Sequence, residues 1–407
     1  MPMATHFTNG VLNGQRVNIV VSQSGLIESI SPADASTAST SDVAVVDLGG
    51  QLVVPPFAEP HAHLDKAFLA DRVTNTTGDL MGAIHGLEAI RHSITFDDIV
   101  ERACRAAQLL SRNGVTAVRT HADTTLSAGL TSVLALLEAK RRCSAFINIQ
   151  VAALLEWPLT GPGSSERLAL ARSAIDAGVD VIGGCPHLDN NPQAAVEVLL
   201  QLAVDSGLPL DLHADENLRP ESRDLEHLAD FLLRDNISHN LTASHCVSLS
   251  AQTLYDIERT AEKVSAANIS VVALPLTNLF LQSRGTATLS ARGITPTEQL
   301  RRAGVNVAAG ADNLQDPFNP MGRGDPLETA SLMVLAAHET PLSAFDMVAQ
   351  NSHRVISPEH SFFTIGDQAD FVVLPATNVR EAVAMGPPDR TVVYGGVVIT
   401  EQKRNIK

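Results

Sequence analysis

The strongest constraint in this sequence is a rhythm. Eight short apolar runs, at residues 52–57, 117–121, 147–154, 179–183, 208–213, 241–245, 269–274 and 305–310, alternate with longer segments of helical periodicity. Apolar runs of this length read as buried strands, and the periodic segments between them as the helices of βαβ units. Several helical segments close on glycine just before the next run: Asn113-Gly114, Ala177-Gly178, Ser206-Gly207 and Ala303-Gly304. A glycine just past a helix end, followed at once by an apolar run, is the usual helix-to-strand joint. Eight such units over about 300 residues predict a (β/α)8 barrel rather than an open sheet. The two ends read differently. Residues 16–22, 26–30 and 43–48, the last after a Ser/Thr/Ala-rich loop, and residues 370–374 and 391–399 are short β-branched or alternating runs. They predict one small sheet built from both termini.

In such a barrel, the C-terminal ends of the strands converge on one site. Here those ends carry His61-Ala-His63 with Asp65, His121 and Asp123, Glu156, His187 and Asp189, His213-Ala-Asp-Glu216, His245, Thr277-Asn278 and Asp312-Asn313. His61 and His63 are two apart, so on an extended strand both imidazoles face one side. Imidazole suits Zn²⁺ or Fe²⁺, and a third histidine with a carboxylate completes a site that leaves one position for water. His213 and Asp312, at the ends of the fifth and eighth strands, are the natural completions. The pKa of water on such an ion falls from about 15.7 to about 7. Glu216 is then placed to shuttle the proton, and His245 to hold the water against a substrate. Singly, each residue has an ordinary reading: a core histidine bonded to a carbonyl, a helix cap at Asp312, a first-turn charge at Glu216. Their coincidence at the strand ends of one barrel favours a metal site. His121 and Asp123 are read as supports behind the ligands, and His187 is assigned no role.

Composition narrows the partners. The 407 residues carry a net charge of −16, with short basic stretches only at 140–142 and 403–404, so a nucleic acid or an anionic membrane would be repelled. Hydrophobic residues at 44% and charged residues at 18% fit a large core and exclude a disordered chain. Cys104, Cys143, Cys185 and Cys246 form no C-x-x-C pair, which points to a reducing compartment rather than a disulfide framework. No apolar run reaches the roughly 18–20 residues of a membrane span, and residues 1–10 lack the basic-then-apolar pattern of a signal peptide. A cytoplasmic protein acting on a small molecule is expected.

The ordered motifs resemble the amidohydrolase superfamily, in its cytosine-deaminase-like branch. They are Pro55-Pro-Phe-Ala-Glu-Pro-His-Ala-His-Leu-Asp65, Val118-Arg-Thr-His-Ala-Asp123, Ile149-Gln-Val-Ala152, Asp211-Leu-His-Ala-Asp-Glu216, Thr242-Ala-Ser-His245, Gly310-Ala-Asp-Asn-Leu-Gln-Asp-Pro-Phe318 and Gly366-Asp-Gln-Ala-Asp-Phe-Val-Val-Leu374. The resemblance implies a distorted (β/α)8 barrel over 53–362 and a small β-sandwich from 1–52 and 363–407. It implies His61, His63, His213 and Asp312 as ligands of one divalent Zn²⁺ or Fe²⁺ ion, Glu216 as acid/base, and His245 as the group that orients water. Two-metal relatives carry a bridging lysine on the fourth strand; residues 180–188 contain none, which favours a single ion. Relatives commonly form homo-oligomers.

Substrate features depart from cytosine deaminases, which usually carry Gln, Asp and Trp where Glu156, Asn313 and Phe318 stand. A Gln amide donates and accepts, whereas a carboxylate only accepts. Glu156 therefore suits a ligand edge with N–H groups, and Phe318 suits a pocket wall. Asp65, Lys66, Phe68 and the Asp312-Asn313 pair are closer to N-isopropylammelide aminohydrolases. Lys66 reads equally as a substrate contact or a solvated surface lysine, and Trp157 as a pocket wall or, more commonly for a single aromatic near a strand end, as packing. The expected activity is hydrolytic deamination of a small nitrogen heterocycle, cytosine-like or triazine, by metal-activated water with release of ammonia. In that reaction Asp312 and His245 steady the reacting centre. The alternatives are release of an alkylamine from an N-substituted aminotriazine, hydrolysis of a cyclic amide or imide, and a non-catalytic ligand-sensing barrel.

Overall fold

The computed structural model describes residues 4–34, 43–286, 288–359 and 361–400. The chain opens with β1 (Thr5–Leu12), β2 (Gln15–Val21), β3 (Ile27–Pro32), β4 (Ala44–Asp47) and β5 (Leu52–Val54). Eight parallel strands follow: β6 (Phe57–Ala62), β7 (Val115–Thr124), β8 (Asn148–Leu155), β9 (Val181–Gly184), β10 (Leu210–Ala214), β11 (Leu241–His245), β12 (Ser270–Ala273) and β13 (Val307–Ala309). They pair in chain order, and an isolated bridge from Ala62 to Asp312 joins the last to the first. Asp312 N donates to His61 O there, at 3.1 Å, so the barrel closes on residues of the candidate site. Then come β14 (Phe371–Leu374), β15 (Thr391–Tyr394) and β16 (Val397–Val398), which with β1–β5 form a second, mixed sheet. That sheet encloses its own apolar core, including Phe7, Ile19, Phe371 and Val393, with Phe7 and Phe371 edge to face at 5.0 Å.

Two helices, α1 (Leu80–Ile90) and α2 (Phe96–Arg112), lie between β6 and β7. α2 shows why the pattern folds as it does. Thr95 caps it by accepting from Asp98 N, and Asp97 and Asp98 sit in the first turn where the helix dipole favours negative charge. Its buried residues Ile99, Val100, Ala103, Ala106, Ala107 and Leu110 recur at helical spacing and join the main core. Gly114 ends the joint at φ +92, where a Cβ would stand 2.9 Å from Val372 Cγ2, so only glycine lets the strand start against the second sheet.

The run 52–57, expected as the first barrel strand, is two strands. β5 pairs antiparallel with β14, Val54 opposite Val372, and β6 begins at Phe57. Pro55-Pro56 lies between, and two prolines remove two ladder donors, so pairing breaks there and the chain changes sheets. Val53 and Val54 accordingly sit with the terminal sheet. The sequence reading also passed over β1 and the helix Val379–Met385. The Ser/Thr/Ala-rich loop before residue 43, with Lys403 and Arg404, falls outside the described residues. Among those described, no helix is long and apolar enough to cross a membrane.

Candidate metal centre and active-site pocket

Four donor atoms from three strand ends meet inside the barrel mouth. His61 Nε2 and His63 Nε2 each lie 3.1 Å from His213 Nε2, and 3.7 and 3.2 Å from Asp312 Oδ1. Four ligands about 2.1 Å from one ion stand roughly 3.4 Å apart in a tetrahedron and about 3.0 Å apart in an octahedron. The observed separations are those of a ligand shell. Burial drives His63 and His213 well below the usual histidine pKa, and it lowers His61 against the pull of Asp211. The rings are therefore neutral, with lone pairs to share. Burial likewise pushes Asp312 well above the usual carboxylate range, and its buried Oδ1 has no hydrogen-bond partner. A divalent cation removes both costs, so the residues fit one. His245 and Asp312 hold φ values of +70 and +66, which non-glycine residues adopt at a cost of about 1–3 kcal/mol where surrounding structure enforces it.

Beneath these candidate ligands lies a charged layer. Arg119 is 0% exposed and donates to Asp211 Oδ2 at 2.8 Å, Thr242 Oγ1 at 3.2 Å, Gln150 Oε1 at 3.2 Å and Val355 O at 2.7 Å. Asp211 accepts from Ser244 Oγ at 2.9 Å, and Ser244 Oγ lies 2.9 Å from His61 Nδ1. His121 packs its ring 4.1 Å from that of His61 and 4.7 Å from that of His213. Glu59 accepts from Ala311 N and His61 N, and burial raises its carboxyl to about 8.

Above the candidate ligands opens a cavity of about 340 Å³, lined by His63, His213, Glu216, His245 and Asp312 at its floor. Burial alone raises Glu216 to about 8, and its Oε1 lies 3.8 Å from His245 Nδ1. His245 Nδ1 sits 3.1 Å from Asn278 Oδ1, while its buried Nε2 has no partner and faces Asp312 Oδ2 at 3.8 Å. Glu156, Asn313, Phe318, Lys66 and Trp157 all line the same cavity. Their polar atoms are less free than the sequence suggested. Lys66 is 3% exposed, not solvated; its Nζ donates to Asp123 at 2.8 Å and Asp65 at 3.1 Å, and lies 3.2 Å from His63 Nδ1. Two of its protons are committed to carboxylates, so its part is to hold Asp65 and Asp123 beside His63. Although burial opposes its charge, those two carboxylates outweigh it and keep the ammonium above the usual lysine value. Asn313 Oδ1 accepts from Thr277 Oγ1 at 3.2 Å, and Nδ2 donates to Asp316 at 2.8 Å. Glu156 Oε2 accepts from Leu126 N at 2.9 Å and lies 3.3 Å from Arg167 Nε, which leaves Oε1 for a ligand.

His187 bonds through Nδ1 to His213 O at 2.9 Å, behind the cavity wall. Asp189 accepts from Leu159 N and Thr160 Oγ1, and so pins the loop after β8. The sequence reading missed the roof. α1 supplies Leu80, Ile84, Leu87 and Glu88 to the cavity, and Arg91 after it donates to Glu88 and to Asp123 Oδ2 at 3.2 Å. It also missed Glu59, Arg119 and Ser244, for which alternation along the strands was the available signal.

Comparison with known proteins agrees with this geometry. A pterin deaminase of Rhizobium rhizogenes is 31% identical over 389 residues, covering 94% of this chain and 88% of that protein. An N-isopropylammelide isopropyl amidohydrolase of a Pseudomonas species is 25% identical over 380 residues, 88% of each. The crystal structure of 5-methylcytosine deaminase from Klebsiella pneumoniae, liganded with 5-fluorocytosine, superposes with a TM-score of 0.89 at 30% identity, over 98% of both chains. Residues 69–400 match the profile of the Amidohydrolase family, beginning just after the His61-x-His63 pair. The chain belongs to the Amidohydrolase family, in its cytosine-deaminase-like branch.

Proposed function

We propose that this amidohydrolase removes the exocyclic amino group of a small nitrogen heterocycle, at the carbon of a cyclic amidine, and releases ammonia. One observation carries the reading: Glu216, a buried carboxyl with no Lys or Arg partner among the described residues, shares a cavity floor with three neutral histidines and Asp312. A metal-holding site without catalysis has no need of such a group. The cavity volume of about 340 Å³ is near the small end of ligand pockets, which suits a single or fused ring.

A divalent ion held by His61, His63, His213 and Asp312 would supply Lewis acidity and a water of lowered pKa. The remaining work falls to the chain's own groups. Glu216, raised to about 8, can take a proton from water and return it to a ring nitrogen and then to the departing amine. Asn278 Oδ1 can only accept, so His245 carries its proton on Nδ1 and turns the Nε2 lone pair toward Asp312. That lone pair can accept from the attacking water and hold it in line. Leu80, Ile84, Leu87 and Phe318 shield the ring from solvent. Glu156 Oε1 offers an acceptor to an N–H edge, as aminopyrimidinones and pterins present.

The test is a panel of aminopyrimidines, aminotriazines and pterins with the metal-loaded protein, reading ammonia, alkylamine and ring-opened acid separately. Ammonia is expected, with Glu216→Gln about 10²–10⁴-fold slower. Alkylamine or ring-opened acid without ammonia, or near-normal turnover by Glu216→Gln, overturns the proposal.

A further inference from the structure

The layer under the candidate ligands has a direction. We propose that Asp211 acts through Ser244 to fix which nitrogen of His61 is offered to the metal, making both of them positioning residues for the centre. The inference rests on the reading of His61 as a ligand. The Ser244 hydroxyl has one hydrogen and two neighbours, Asp211 Oδ1 and His61 Nδ1, each at 2.9 Å. An ionised carboxylate cannot donate, so the hydroxyl gives its hydrogen to Asp211 and can only accept from His61. His61 must then carry its proton on Nδ1, and its Nε2 lone pair faces His213 Nε2 and Asp312 Oδ1.

Arg119 keeps the arrangement one-way. Its Nη1 donates to the other Asp211 oxygen at 2.8 Å, so Asp211 remains an acceptor on both sides. Strand alternation makes the layer possible. Asp211 and His213 are two apart on β10, as are Thr242 and Ser244 on β11, so each pair faces the interior together. The neighbouring residues Leu210, Leu212 and Ala243 face the apolar core instead. Since β10 and β11 are paired in register, with His213 opposite Ser244, a shift of one residue would take the hydroxyl out of the barrel. His61 is thus oriented by a hydroxyl and a carboxylate drawn from two other strands. Ligand histidines generally rely on such outer partners, whose removal costs about 10–100-fold in metal affinity.

The experiment titrates metal-free wild type, Ser244→Ala, Ser244→Thr, Asp211→Asn, the Ser244→Ala/Asp211→Asn double variant and His61→Ala with Zn²⁺ against a chromophoric chelator. Circular dichroism confirms each fold, and the Co²⁺ absorption spectrum reports ligand geometry. Ser244→Ala is expected to bind Zn²⁺ about 10–100-fold more weakly, with an altered Co²⁺ spectrum, and Ser244→Thr to recover affinity because it keeps the hydroxyl. The double variant should be no weaker than the worse single one, since both changes break the same chain of contacts. Wild-type affinity and spectrum in folded Ser244→Ala, or fully additive losses in the double variant, overturn the proposal. If His61→Ala also binds as wild type does, the ligand assignment itself has failed, a result distinct from failure of the relay.

Discussion

Replacing Arg119 with methionine should destabilise the barrel more than any surface change can. The guanidinium is fully buried and makes four hydrogen bonds, one of them to the carboxylate of Asp211, which is itself 0% exposed. Methionine fills much of the volume but leaves Asp211 as a buried anion without its cation, at a cost of about 3–5 kcal/mol. Unfolding entropy near 2.1 cal/mol/K per residue gives a barrel of roughly 300 residues about 0.6 kcal/mol/K, so the melting temperature should fall by about 5–8 °C. Differential scanning fluorimetry of the metal-free protein, at one scan rate, measures this. Asp211→Asn in the same background removes the stranded charge, so the double variant should lose clearly less than the two single losses combined. A melting temperature within about 1 °C of wild type for Arg119→Met would show that the buried pair is not what holds this layer.

Three further outcomes follow from the same contacts. In Gly310→Ala the new Cβ would stand 2.3 Å from Glu59 Oε1, so that oxygen must move off the His61 and Ala311 amides it accepts from; a loss of about 1–3 kcal/mol is expected, and an unchanged melting curve would contradict it. Phe318→Ala should raise KM about tenfold with kcat nearly unchanged, as loss of apolar contact worth about 1.4 kcal/mol predicts; an equal fall in kcat would mean Phe318 acts in the transition state instead. Stability of the metal-free protein should peak near pH 6.5 and fall from there to about pH 8. Buried histidines such as His187, lowered by burial to about 4, bind protons less tightly folded than unfolded, so stability rises up to the ordinary histidine pKa of about 6.5. Glu59 and Glu216, raised by burial from 4.5 to about 8, bind protons more tightly folded, so their contribution is lost between those two values, and that loss stands alone once the histidine gain ends near 6.5. A melting temperature still rising from pH 7 to 9 would reverse that assignment.

The barrel and the meeting of its candidate donor residues were legible because the chemistry sits where the strands end. His61, His63, His213 and Asp312 lie at or within a few residues of strand C-terminal ends, and β11 falls on the run 241–245 residue for residue. Run 52–57 misled because hydrophobicity was continuous across two prolines whose missing donors carried the information. Arg119 was overlooked for a different reason, although alternation places it on the same face of β7 as His121. A charge within Val118-Arg-Thr looks like an outward residue until Asp211, 92 positions away, is known to face it. The roof helix α1 gave no signal either, since its apolar residues Leu80, Ile84 and Leu87 cover a ligand cavity and sequence periodicity cannot separate that from core. Lys66 followed the same logic. Only the three-dimensional placement of Asp65, Asp123 and His63 around its ammonium shows that its charge is spent inside the wall.

The most direct test of the account is metal content, measured by mass spectrometry on purified wild type, His61→Ala, His213→Ala, Asp312→Ala and Glu216→Gln, each verified as folded. One divalent ion per chain is predicted for wild type and Glu216→Gln, with little or none in the three ligand variants. Unchanged occupancy in those variants, or full turnover by a metal-free wild type, would contradict the account.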